Sequence, residues 1–187
     1  MLTYLVFAAV AIALLAAVYN YYSVKRRDAG TDTMKEIASA IQEGANAFIS
    51  HEYKIISIVA LLVFVLLFVV VAWYVGVAFL IGAIMSATAG YIGMKIATIA
   101  NVRVSNEART TKSLGSTLKV AFQGGSVMGL SVGAFAILGL GIVFVVFGNI
   151  MGQTAIENLV IKSNWMGISF IPFAMTVSGY ALGCSLI

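Results

Sequence analysis

Five apolar runs, each long enough to cross a lipid bilayer, dominate this chain. A helix rises about 1.5 Å per residue and the hydrocarbon core is ~30 Å thick, so a span needs about 20 apolar residues. Runs over 2–22, 55–75, 77–100, 125–147 and 165–187 meet that requirement, with a short turn expected at Gly76 between the second and third. They predict an all-α fold, a polytopic transmembrane helix bundle, with residues 1–187 forming the N-terminal transmembrane part of a single integral membrane domain. Composition closes the soluble alternatives. The chain is 61% hydrophobic and only 10% charged, whereas about a quarter of a soluble domain is charged. One proline, Pro172, argues against disorder. One cysteine, Cys184, excludes an internal disulfide and reads as a small buried hydrophobe. The first run is no signal peptide, because its positive charges, Lys25, Arg26 and Arg27, follow it.

Basic residues set the expected orientation. Ten of the eleven lie in the stretch between spans one and two or in the region from the end of span three to span four, while Lys162 alone lies in the next loop. The positive-inside rule then places loops 23–54 and 101–119 in the cytoplasm and the N-terminus outside. The charge is spread along membrane loops, so the net +4 is no sign of a nucleic-acid partner. Tyr19, Tyr21, Tyr22, Trp73, Tyr74 and Trp165 fall where an interfacial aromatic belt belongs.

The first loop carries a helix signal. Thr33 and Glu36 have capping-box spacing. Met34, Ile37, Ala38, Ile41, Ala45 and Phe48 then recur on one helical face, in a helix able to run unbroken into span two. The polar stretch from Asn101 to Thr117 is expected to extend span three beyond the membrane.

Small residues recur at four-residue spacing: Gly82, Ser86 and Gly90 in span three, and Gly125, Gly129 and Gly133 in span four. Lipid offers little hydrophobic force between helices, so close backbone approach carries association, and both stripes predict tight packing within the chain or between subunits. Gln123-Gly124-Gly125-Ser126 lacks the lysine of a phosphate-binding loop and reads as a flexible start to span four. His51 is the single histidine and does not make a metal site. Asp28 and Asp32 are expected to balance Lys25, Arg26 and Arg27. No span has an ionisable residue near its middle, and Lys95 lies close enough to an end to snorkel outward. The residues alone describe packed scaffold with no catalytic group.

Four motifs in order add a resemblance. They are Glu43-Gly44-Ala45-Asn46-Ala47-Phe48 with Glu52-Tyr53-Lys54; Gly90-Tyr91-Ile92-Gly93-Met94-Lys95-Ile96-Ala97-Thr98 leading to Ala100-Asn101-Val102-Arg103; Ala121-Phe122-Gln123-Gly124-Gly125-Ser126-Val127-Met128-Gly129-Leu130; and Ser178-Gly179-Tyr180-Ala181-Leu182-Gly183. Together they resemble the start of the membrane-bound, ion-translocating inorganic pyrophosphatases. The resemblance implies a homodimer of sixteen-helix subunits in the cell membrane. Such a protein hydrolyses pyrophosphate with Mg2+ on the cytoplasmic side, in some members with K+, and drives Na+ or protons outward. It implies that spans one to four belong to an outer ring of helices and that span five opens the inner ring.

By the same resemblance, Ser185 matches a serine on the inner face of span five near the ion gate, and is the one ion-pathway candidate. No catalytic residue and no metal ligand carries over, so the chain alone is expected to be inactive. The alternative is a complete, small, non-enzymatic membrane scaffold or assembly subunit. Against it, the chain stops on Cys184-Ser185-Leu186-Ile187, within an apolar run.

Overall fold

The structure, a computed structural model, describes residues 2–150, 163–165 and 168–186. Among the described residues it is all-α apart from one pair of short antiparallel strands. In chain order come α1 (Leu2–Lys25), α2 (Asp32–Leu66), a π-helical turn (Leu67–Val71), α3 (Trp73–Thr111), α4 (Leu114–Ile150), β1 (Ser163–Trp165), β2 (Ile168–Phe170) and α5 (Pro172–Cys184). The strands pair antiparallel, Ser163 with Phe170 and Trp165 with Ile168. Among the described residues, four helices are long and apolar enough to cross a membrane. With 39 residues, α3 is ~58 Å long and outruns a bilayer core.

α5 is different. The fifth span was expected over 165–187, but the helix begins at Pro172 and has 13 residues. Proline at the first helical turn is tolerated because it lacks only an amide that would be unpaired there, yet it disfavours helix in the residue before it. Ile171 is accordingly extended, with φ −97° and ψ 115°.

The chain forms two compact units, each containing segments of α1 to α4. The first comprises residues 1–8, 55–87 and 135–187; the second comprises 9–54 and 88–134. In the first, Leu67, Val75 and Phe79 form one core, and Ala78, Val143, Phe147 and Tyr180 form another. In the second, Val24, Ile96, Ala100 and Val127 are the core.

Helix ends and breaks show where local sequence signals were shifted. α2 runs unbroken from the first loop into span two, but its cap is Thr31, not Thr33. The Thr31 hydroxyl accepts from the Met34 amide at 3.4 Å and the Thr31 carbonyl from the Lys35 amide at 3.0 Å. Gly30 precedes the cap at φ +90°, backbone that only glycine adopts without cost, with Met34 and Asn106 closed in around its Cα.

The reversal between spans two and three is at Ala72, not Gly76. Ala72 alone is extended, and its amide reaches back to the Leu67 carbonyl at 3.0 Å. Gly76 lies inside α3, where a Cβ would sit 3.1 Å from the Phe68 backbone. α3 continues to Thr111. Lys112 then takes a left-handed φ of 51°, and Ser113 caps α4 by accepting from the Ser116 amide at 3.4 Å. Gln123 to Ser126 are therefore continuous helix and not a flexible start to span four.

Candidate functional site

The candidate residues of span five sit on a helix that α3 holds by direct backbone contact. On α5, Gly179 and Gly183 are four residues apart and both buried. A Cβ on Gly179 would lie 2.6 Å from the Val75 carbonyl oxygen, and one on Gly183 would collide with the Phe79 carbonyl oxygen. From the other side, a Cβ on Gly82 would collide with the Tyr180 carbonyl oxygen and lie 2.9 Å from the Cys184 nitrogen. Ser86 completes the seam by donating its hydroxyl to the Cys184 carbonyl at 3.0 Å. This is small-residue helix pairing, in which bare backbones approach closely and dispersion replaces hydrophobic force.

Tyr180 anchors α5 to a second helix. Its hydroxyl donates to the Ala136 carbonyl of α4 at 2.7 Å, and Gly139 leaves room for the ring, since a Cβ there would lie 2.7 Å from it.

The two predicted small-residue stripes thus part company. Gly82 and Ser86 are seam residues, and Gly90 is half-buried. Gly125, Gly129 and Gly133 have nothing within 4 Å of a Cβ placed on them, so they pack against no other part of the described chain. The α5 pair Gly179 and Gly183 is as tight as any, and its four-residue spacing in an apolar run was the signal that could have found it.

Ser185 is the C-cap of α5. It is exposed, and its hydroxyl donates to the Leu182 carbonyl at 2.9 Å. Ala174, Ser178 and Ala181 are exposed on the same helix at three- and four-residue steps, and the Ser178 hydroxyl donates to the Ala174 carbonyl at 2.9 Å. α5 therefore buries its glycine face and leaves open a face bearing two serine oxygens whose protons are already committed.

The second unit has a separate polar cluster where α1 ends. Arg27 pairs with Glu107 at 3.2 Å, and Glu107 also accepts from the Ser116 hydroxyl. Arg103 donates to the Arg27 carbonyl at 3.1 Å and to the Ile99 carbonyl at 2.8 Å. Asn106 donates to the Asp28 carbonyl at 3.3 Å and accepts from Arg109 at 2.9 Å. Asp28 and Asp32 do not neutralise the basic run beside them. Asp28 accepts from the Gly30 amide at 3.1 Å, and Asp32 pairs with Lys35 at 3.1 Å.

Lys95 has partners on its own and a neighbouring helix. Its ammonium donates to Asn46 of α2 at 2.8 Å and lies 5.5 Å from the centre of the Tyr91 ring. Asn20 and Ser126 add a polar link between α1 and α4 at 2.9 Å. His51 is exposed on α2, and among the described residues no three His, Cys, Asp or Glu side chains converge.

Comparison with known proteins places these helices. Residues 11–187 match the family model described as inorganic H+ pyrophosphatase. The chain is 58% identical over 176 residues to a K(+)-stimulated pyrophosphate-energized sodium pump of Thermotoga maritima, covering 94% of this chain and 24% of that protein. It is 43% identical over 169 residues to a K(+)-insensitive pyrophosphate-energized proton pump 2 of Moorella thermoacetica, covering 90% and 24%. With a K(+)-insensitive pyrophosphate-energized proton pump of Methanosarcina mazei it shares 39% over 140 residues, covering 74% and 21%. The chain thus spans about a quarter of the length of these relatives. A family match that runs through the α3–α5 seam and the arginine–glutamate cluster alike has one reading: the chain belongs to the inorganic H+ pyrophosphatase family.

Proposed function

We propose that this chain is the N-terminal membrane part of a pump that couples pyrophosphate hydrolysis to outward movement of sodium or protons. The observation that carries the reading is the 58% identity with the Thermotoga maritima sodium pump across 94% of this chain. Sodium as cargo rests on that one relative, against 43% and 39% identity with the two proton pumps. A free-standing scaffold subunit is disfavoured by that agreement. The pump works as a homodimer in the cell membrane, with its N-terminus outside and loops 23–54 and 101–119 in the cytoplasm. The support for this orientation is the ten basic residues of those regions.

Magnesium would accompany pyrophosphate, and potassium would stimulate a sodium-pumping member. Among the described residues no three carboxylates converge as a magnesium pyrophosphate site would require. Glu107 is engaged by Arg27, Asp28 by the Gly30 amide, and Asp32 by Lys35. Hydrolysis therefore belongs to other parts of the pump.

The share of the mechanism assigned to this chain is structural and, on α5, permeation. The glycine seam fixes α5 against α3, and Ser185, with Ser178 on the same open face, lines the ion path. Their hydroxyl protons are held by the helix backbone, which leaves oxygen lone pairs to face a passing cation. The experiment is sodium uptake by inverted membrane vesicles containing the complete polypeptide that carries this sequence. Pyrophosphate with magnesium should drive sodium inward, and the 187-residue chain alone should neither hydrolyse pyrophosphate nor move ions. Proton uptake that persists without sodium would transfer the cargo to protons, and hydrolysis by the isolated chain would overturn the assignment of the chemistry.

A further inference from the structure

The three consecutive cations that end α1 have different fates. Arg27 is held by Glu107 at 3.2 Å. Lys25 lies over the Tyr21 ring, 5.9 Å from its centre. Arg26 is exposed, and among the described residues its guanidinium has no hydrogen-bond or ion-pair partner. It borders a hollow of about 380 Å³ lined only by Tyr19, Tyr22, Ser23 and Arg26, one turn above another on a single helix face. That face continues down α1 as an exposed apolar stripe: Tyr19 is 72% exposed, Leu15 69% and Ile12 68%.

We propose that this face of α1 is a binding site for one anionic glycerophospholipid. Charge complementarity fixes the chemistry. An unpaired guanidinium with a serine hydroxyl and a tyrosine hydroxyl beside it offers several donors to a phosphodiester, and arginine's planar fork suits phosphate oxygens better than a point charge does. The stripe below is apolar, as an acyl chain requires, and the tyrosines stand between the two as amphipathic rings do at a headgroup boundary. A soluble phosphate would have no use for Leu15 and Ile12. A peptide helix would leave the guanidinium to find its own counter-ion. Arg26 is therefore the residue that selects the lipid, while Arg27, one position on, serves the fold.

Native mass spectrometry of the full chain released from phosphatidylcholine bilayers doped with phosphatidylglycerol tests this. The wild-type chain should retain one phosphatidylglycerol, and Arg26→Gln should lower its occupancy about tenfold, the loss expected when a charge-assisted hydrogen bond is removed. Lys112→Gln, which removes another exposed cation, should leave it unchanged and controls for general attraction. Tyr19→Ala with Leu15→Ala should also release the lipid, and soluble glycerol phosphate should not displace it. Equal retention by Arg26→Gln, equal retention of phosphatidylcholine, or displacement by glycerol phosphate would each overturn the proposal. Circular dichroism of each variant excludes unfolding as the cause. The readout does not depend on pumping, so it stands or falls separately from the proposed function.

Discussion

The α3–α5 seam of the first unit and the arginine–glutamate cluster of the second hold helices together by opposite means. In the seam nearly every contact is backbone on backbone, and side chains are mostly absent: Gly82, Gly179 and Gly183 act by having none. In the cluster the side chains do all the joining, through Arg27, Arg103, Asn106 and Glu107. The contrast follows from local chemistry. Within apolar sequence no hydrophobic gain separates helix from lipid, so contact area and a few hydrogen bonds decide. In the polar sequence where α1 ends and α3 runs on, charged groups can be satisfied by one another at modest desolvation cost. The seam should therefore tolerate no added atoms, and the cluster no removed ones.

The severest test of that contrast is Gly183→Val. A branched side chain there meets the Phe79 carbonyl oxygen, which is backbone and cannot swing away. We expect α5 to lose its seat at a cost of roughly 3 kcal/mol or more, read as a lower midpoint in detergent-titrated unfolding. Unchanged stability would mean that the seam is loose.

Next in size is Glu107→Ala. It leaves the Arg27 guanidinium, whose side chain is 30% exposed, without its carboxylate. The expected loss is about 2 kcal/mol, and much of it should be mimicked in the wild type by high salt, since the pair is partly open to solvent. Glu107→Gln should recover part of it through the amide oxygen.

Ser86→Ala removes a single hydrogen bond, to the Cys184 carbonyl. Side-chain hydrogen bonds between membrane helices average about 0.6 kcal/mol, so its effect on the unfolding midpoint should be small but measurable. Gly129→Ala should cost the least. It meets nothing within 4 Å, so only the better helix propensity of alanine remains, and we expect no loss in the isolated chain but a gain of up to about 0.5–1 kcal/mol. A loss in the complete pump would identify the Gly125–Gly129–Gly133 face as a seat for another helix.

The same contrast separates what could be read in the sequence from what could not. Long-range periodicity was legible: the apolar runs, and the amphipathic stretch that carries α2 unbroken into span two, depend on composition summed over many residues. Single-residue punctuation was less so. Thr33 has capping-box spacing, but Thr31 takes the cap, because Gly30 at positive φ starts the helix two residues earlier. Gly76 looked like the turn, but glycine there serves close packing against Phe68, and Ala72 reverses the chain.

Partner choice was the least legible. The stripes at Gly82 and Gly125 have the same spacing, and only the fold shows that one is covered by α5 and the other by no described residue. Asp28 and Arg27 are neighbours in sequence, yet they do not pair: Arg27 is satisfied by Glu107 of α3, and the Asp28 carboxylate by the Gly30 amide and by Asn106 of α3. Ser185 could be placed on α5, but neither its exposure nor its alignment with Ser178 follows from one motif.

The one-residue reversal at Ala72 gives the α2–α3 connection a property that a longer loop would lack: it fixes angular phase. With only Ala72 outside helical geometry between Val71 and Trp73, no slack exists to absorb an insertion. One added residue after Trp73 would rotate everything beyond it by about 100° relative to the hairpin. Gly82 and Ser86 would then turn away from α5 and present bulkier neighbours to it. The π-helical turn before Ala72 acts as an index mark for the seam: the length of this chain between residues 67 and 82 is as constrained as the identity of the glycines themselves.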